Sequence, residues 1–220
     1  MIETGIQFDD IHSFHDLDLI LSGVVIPPAT PKTNYIDIPG GDGSLDFTES
    51  TGKVTYNDRN CKFTFTMNPS SDLSESAFEE KKTEVSNLLN GRACKITLDK
   101  DDEYYYSGRC TVDEYVSNKR VRQIVVSARV RPYKLKQNET VVAVALTTEE
   151  KTITLMNSRK PVVPVIVCTD DNTFVSFANR EITLSAGSHK VLDFCLVEGE
   201  NIFKVSGKGT ITFSYWEGDL

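Results

Sequence analysis

His12 and His15 form the closest histidine pair in the chain, with Asp9, Asp10, Asp16 and Asp18 around them. Imidazoles and carboxylates in one short stretch are the raw material of a metal site, but transition metals need ligands converging from a fixed scaffold. A three-residue spacing in an N-terminal loop supplies no such scaffold. The stretch reads as a solvated acidic loop, and no metal is expected. Asp99-Lys100-Asp101-Asp102-Glu103 places carboxylates at alternate positions as calcium loops do, yet it lacks the central Gly and distal bidentate Glu of an EF-hand. Lying between the β-like runs Ala93–Leu98 and Tyr104–Cys110, it reads as a charged hairpin tip.

The remaining motifs are also poor in chemistry. Gly207-Lys208-Gly209-Thr210 has the composition of a phosphate loop, but the earlier Gly is missing and a strand follows where a helix is required, so it reads as a hairpin turn. His189 stands beside Gly187 at a turn, with no Ser or Cys nucleophile motif to build a triad. No catalytic residue and no cofactor site is assigned. Tyr104, Tyr105, Tyr106 and Tyr115, and Trp216 beside Tyr215, are able to stack sugars or protein; core or interface packing is the plainer reading of them. Cys61, Cys94, Cys110, Cys168 and Cys195 form an odd set with no CxxC pair, each in or beside an apolar run, and read as small buried hydrophobes.

The elements that would carry these residues are mostly strands. Cys61, Phe63, Phe65 and Met67 alternate with Lys62, Thr64 and Thr66, and the same period of two recurs at Cys94, Ile96 and Leu98 and at Ile124, Val126, Ala128 and Val130. One segment, about 72–90, has helical spacing, with Phe78, Val85, Leu88 and Leu89 on one side. Ser71 or Asp72 is its expected cap, Glu75 completes a capping box from Asp72, and Gly91 closes the last turn. Beyond Pro132 a polar stretch, 134–139, reads as a linker. It divides an N-terminal domain, 1–133, from a C-terminal domain, 140–220. The latter shows short strands at about 141–146, 151–156, 162–168, 173–178, 181–184, 190–197, 201–205 and 210–216, and no helix. That spacing indicates an antiparallel sandwich. Ile26-Pro27-Pro28-Ala29-Thr30-Pro31 is too poor in amide donors for a central strand and reads as an extended crossing or an edge. Ile38-Pro39-Gly40-Gly41-Asp42-Gly43 reads as a tight turn into the next strand.

Bulk properties agree with a protein of two ordinary β domains. The 220 residues are 39% hydrophobic and 25% charged, with eleven Phe, eight Tyr and only three Met. The formal net charge is -8, and residues 1–133 hold 15 basic against 21 acidic side chains. Tight nucleic-acid binding needs a basic excess that neither part has. No basic leader opens the chain and no stretch approaches the roughly 18 apolar residues of a membrane span, so a soluble protein made in the cytosol is expected, with no membrane insertion.

A resemblance rests on several of these residues together. Phe14 followed by Asp18-Leu19, then Ile38-Pro39-Gly40-Gly41-Asp42-Gly43-Ser44-Leu45-Asp46, and Tyr56-Asn57-Asp58-Arg59 running into Phe63 and Phe65 resemble the distal tail proteins of long-tailed, non-contractile phages and prophages. The second half is similar to that family's second domain through Asn157-Ser158-Arg159 before Pro164-Val165-Ile166, Leu184 before Gly187, Gly199-Glu200-Asn201, and Gly207-Lys208-Gly209 before the last strand. The resemblance implies a mainly β chain. Its N-terminal part would be a β-sandwich or split-barrel domain with one helix and an extended hairpin, and its C-terminal part a galectin-like antiparallel sandwich. It implies a non-enzymatic virion protein, made in the bacterial host cytoplasm and placed at the tail tip as the baseplate hub. The partners implied are five other copies in a hexameric ring, stacked or single, the tail tube protein, a tail fibre hub protein and a receptor-binding protein. DNA would pass through the ring without tight binding. Gly40, Gly41, Asp42 and Gly43 are the candidate inter-subunit or pore-facing turn, with a purely local turn as the plain reading. The alternative function is a carbohydrate-binding module that mediates host cell-surface adsorption.

Overall fold

Period-two alternation becomes sheet wherever one set of side chains can be buried. The computed structural model describes residues 5–50, 52–117 and 121–220, and divides into two compact units, one ending at Lys134 and the other spanning Leu135–Leu220. Each has its own apolar core. The fold is mainly β.

The first unit contains β1 (Ile6–Phe8), β2 (Ile11–His12), β3 (Leu19–Val25), β4 (Tyr35–Asp37), β5 (Ser44–Asp46), β6 (Arg59–Met67), α1 (Glu75–Leu89), β7 (Ala93–Leu98), β8 (Asp101–Ser117) and β9 (Arg122–Val130). One antiparallel sheet runs in the order β2-β1-β7-β8-β9-β6-β3. Cys61, Phe63, Phe65 and Met67 of β6 and Ile124, Val126, Ala128 and Val130 of β9 turn their sides of the alternation inward, where Phe8 meets Phe63 and Phe65 edge-on. Phe78, Val85 and Leu89 of α1 close over the same core. The helix begins later than its spacing suggests. Ser74 is the cap, accepting the Ala77 amide at 3.2 Å, while Asp72 accepts the Ser74 amide, so the expected cap orients the actual one. Glu75 forms an ion pair with Arg122 at 2.6 Å and makes no capping box. Gly91 has φ +80° and ends the helix as expected.

The boundary falls inside β10 (Lys134–Lys136), and the second unit continues with β11 (Thr140–Ala145), β12 (Lys151–Asn157), β13 (Val165–Cys168), β14 (Thr173–Phe177), β15 (Arg180–Leu184), β16 (Gly187–His189), β17 (Gly199–Ser206), β18 (Thr210–Tyr215) and β19 (Gly218–Asp219). Two four-stranded sheets, β11-β18-β13-β16 and β12-β17-β14-β15, supply the two inner faces of an antiparallel sandwich. Ile166, Ile211, Phe213 and Tyr215 from one meet Leu155, Val175, Phe203 and Val205 from the other. Residues 190–197 form no strand. They turn, bridging only at Val162–Leu196, and bring Phe194 and Leu196 into the core from a loop. The stretch 134–139 includes β10, which pairs with β19 through the Lys136 amide and the Glu217 carbonyl, 3.1 Å apart.

Candidate assembly surface

Residues 31–47 are all exposed, and they stand apart from the main sheet of their unit as a two-stranded ribbon. At its root, Pro31 bridges Tyr56, Lys32 donates its amide to Thr55 at 2.8 Å, and Asn57 donates to Thr30 at 2.9 Å. Further out Tyr35 pairs with Asp46, Ile36 with Leu45 and Asp37 with Ser44. The tip is closed by the Gly41 amide donating to Ile38 at 3.0 Å. Pro39 and Gly40 then fill the central positions, with Gly40 at φ +75° where a type II turn requires a positive φ. Gly43 is similarly left-handed at φ +77°. A Cβ at Gly40 or Gly43 would meet nothing within 4 Å, so within one chain these glycines serve the turn and not a close approach.

The ribbon has two dissimilar faces. Ile36 and Leu45 oppose each other on one, and the same alternation carries Ile38 and Phe47 to that side. All four remain exposed. The other face presents Tyr35, Asp37, Ser44 and Asp46, with the Ser44 hydroxyl donating to Asp37 at 2.9 Å. The hydroxyl and amide of Thr48 hold the Asp46 carboxyl below its ordinary pKa, keeping it charged. An isolated two-stranded hairpin is marginal in water, and a contiguous apolar face is a docking feature more often than an accident. The strands were hidden in the sequence because each is only three residues long; the alternation Tyr35-Ile36-Asp37-Ile38 around a Pro-Gly turn was the signal available.

The other residues singled out in the sequence have local roles. His12 is buried, and its Nδ1 accepts the amides of Phe14 and His15 at 3.2 and 3.1 Å. Its Nε2 therefore carries the proton and lies 3.2 Å from Asp99, which also accepts the Gly5 amide. The acidic loop is thus tied down, not merely solvated: the His12 backbone amide donates to Asp16 at 2.6 Å. Among the described residues no group of three His, Cys, Asp or Glu is arranged to hold a metal. Asp99 and Lys100 form the turn between β7 and β8, and Asp101 pairs with Lys134 at 2.6 Å.

All four tyrosines lie under cations within their unit, three of them under lysines: Tyr104 under Lys134, Tyr105 under Lys95 and Tyr115 under Lys82. Tyr106 packs under the Arg59 guanidinium, 5.1 Å from the ring centre. Gly207-Lys208-Gly209 is not a hairpin turn. It carries the chain from β17 in one sheet to β18 in the other, and Gly209 abuts Thr169 and Asp170, where a Cβ would collide with both side chains. His189 contacts the Ser185 carbonyl at 2.8 Å. Trp216 is half-buried at the end of β18.

No family model matches the sequence, and no curated protein matches it. Among solved structures, the SPP1 Dit (gp 19.1) protein, described as a paradigm of the hub adsorption apparatus in phages that infect Gram-positive bacteria, aligns over 99% of both chains with a TM-score of 0.70 at 12% sequence identity. The chain has the Dit fold. Agreement over nearly the full length means that the order of elements in both units is shared, so the Dit fold accounts for the ribbon-bearing first unit and the sandwich together. Among the described residues of this Dit fold, no helix is long and apolar enough to cross a membrane.

Proposed function

We propose that this chain is a structural hub protein of the distal tail tip, or baseplate, of a long-tailed, non-contractile phage or prophage. The observation that carries the reading is the apolar face of the β4–β5 ribbon, left in water by a single copy, on a chain that shares the fold of a phage hub protein over 99% of its length. The unit ending at Lys134 assembles the ring, six copies closing on themselves so that each ribbon finds a partner and no edge is left open. Ile36, Ile38, Leu45 and Phe47 lie against the neighbouring copy, and the acidic side with Asp37, Asp42 and Asp46 lines the passage. Gly40, Gly41, Asp42 and Gly43 form the tip at that inter-subunit or pore-facing position. Carboxylates displace no counterions from duplex DNA, so DNA slides through and is not held. The galectin-like sandwich, 135–220, projects toward the tail fibre hub and receptor-binding proteins, while the ring meets the tail tube.

Light scattering and negative-stain electron microscopy of the purified chain test the reading. Six-fold rings that fail to shift duplex DNA in a gel support it, and a strict monomer at high concentration with salt-sensitive DNA binding refutes it. A carbohydrate-binding module draws less support, because a sugar platform needs exposed aromatics and Phe203, Phe213 and Tyr215 are packed inside the sandwich. Binding of residues 135–220 to a glycan array, abolished by Trp216→Ala, would favour it instead.

A further inference from the structure

Cys94 and Cys110 lie on neighbouring antiparallel strands and point into the same core. Ala93 pairs with Arg109 and Cys94 with Gly108, which makes Cys110 the diagonal neighbour of Cys94 on the same face. Two further bonds fix Cys110 against the loop leaving α1: its amide donates to Arg92 at 2.8 Å and its carbonyl accepts from Gly91 at 2.9 Å. The two sulfurs are 3.3 Å apart, in contact, with Cys110 fully buried and Cys94 6% exposed. A disulfide needs them at about 2.05 Å, a closure of about 1.3 Å. Cys61 faces the same core, but Ala128 of β9 lies between it and Cys110 in the ladder.

We propose that Cys94 and Cys110 are a built-in oxidation site, converted to an intramolecular disulfide by a peroxide. Cys94 reacts first, being the less completely buried of the two residues. The hydrogen bond between the two sulfurs lowers the Cys94 pKa and raises that of Cys110, which leaves Cys94 the readier to ionise. Burial and the Asp9 carboxylate oppose that shift, and Arg92, paired with Asp9 at 3.2 Å, offsets them only in part. The Cys94 thiolate attacks one peroxide oxygen and the O–O bond breaks, giving a sulfenic acid and, with the proton released, one water. The Cys110 sulfur then attacks the Cys94 sulfur, the S–O bond breaks, and the oxygen leaves as a second water carrying the Cys110 proton. Two thiols are oxidised and one peroxide is reduced. The product staples β7 to β8 across residues 16 apart in sequence, closing the hairpin whose tip is Asp99-Lys100.

The test uses the full chain, reduced, freed of reductant and treated with hydrogen peroxide while folded. After quenching and denaturation, titratable thiols should fall from five to three, the mass should drop by two hydrogens, and digestion should yield one peptide pair joining Cys94 to Cys110. Melting should rise by about 5 °C or more and return on adding dithiothreitol. In Cys110→Ala the sulfenic acid at Cys94 should persist long enough for dimedone to trap it. Retention of all five thiols, a bond to any other cysteine or to another chain, or over-oxidation of Cys94 without a bond would overturn the proposal. The peptide map of the unsubstituted chain decides the question even if the variant does not fold.

Discussion

Ile36 and Leu45 face each other across the β4–β5 ribbon with 50% and 51% of their surfaces in water, an arrangement in which two large apolar side chains satisfy one another only partly. Their exposure separates folding from assembly. Replacing both with Asp should leave the melting of the isolated chain within about 0.5 kcal/mol, because neither contributes to a core. The same double substitution should abolish the higher-mass species in light scattering. Loss of the fold together with assembly would show that the ribbon has a folding role instead.

Glu217 is buried at 7% exposure and accepts from Lys136 at 2.7 Å, Thr140 at 2.6 Å and Ser158 at 2.8 Å. Burial alone would raise its pKa, but these hydrogen bonds and the Lys136 charge outweigh it and hold the carboxyl below its ordinary value. A carboxyl depressed in the folded state contributes stability above its unfolded pKa, near 4.3, and that contribution is lost as pH falls through the folded value. Glu217→Gln should therefore cost about 2 kcal/mol at pH 7. In denaturant titrations the gap between the two proteins should close below about pH 4. A gap independent of pH would mean that packing, not charge, explains the loss.

Phe203 lies stacked on Phe177 at 4.3 Å and tilted against Phe213 at 5.1 Å, linking the two sheets of the sandwich. Truncation to Ala opens a cavity that neighbours cannot fill, and the cost should be about 3–5 kcal/mol. Hydrogen exchange should then rise throughout residues 135–220 while the amides of β6 and β9 keep their protection.

Gly108 sits between β7 and β9 where an added Cβ would strike the Arg129 carbonyl and come within 2.7 Å of the Val130 Cα. Backbone atoms cannot rotate aside as side chains do. Gly108→Ala should destabilise the first unit by about 2–3 kcal/mol in chemical denaturation. A neutral result would mean that the β8–β9 ladder shifts register more readily than its long pairing suggests.

How much of this was legible in the sequence depended on how local each cause is. The alternations at Cys61–Met67 and Thr210–Tyr215 fixed both their strands and their buried faces, because period two needs no knowledge of the partner. The helix start was misplaced by a few residues because Asp72, Ser71 and Ser74 are chemically equivalent caps until the chain direction is known. Polar composition suggested a bare linker at 134–139, yet Lys136 finds Glu217 some 81 residues away, a contact that no local window contains. Residues 190–197 look like a strand because Val191, Phe194 and Leu196 are apolar, but loop side chains also fill cores. Of the candidate surface, the Pro-Gly tip was visible and the two flanking strands were not, since a face that stays wet in one copy leaves no burial pattern.

The pairing of β10 with β19 gives the second unit a property of its own. Its first and last strands are neighbours, so the chain enters and leaves the sandwich at one place, and the unit is a cassette whose two ends meet. Joining its ends and reopening the chain at the exposed Ala186-Gly187 turn should give a circular permutant that keeps the two four-stranded sheets.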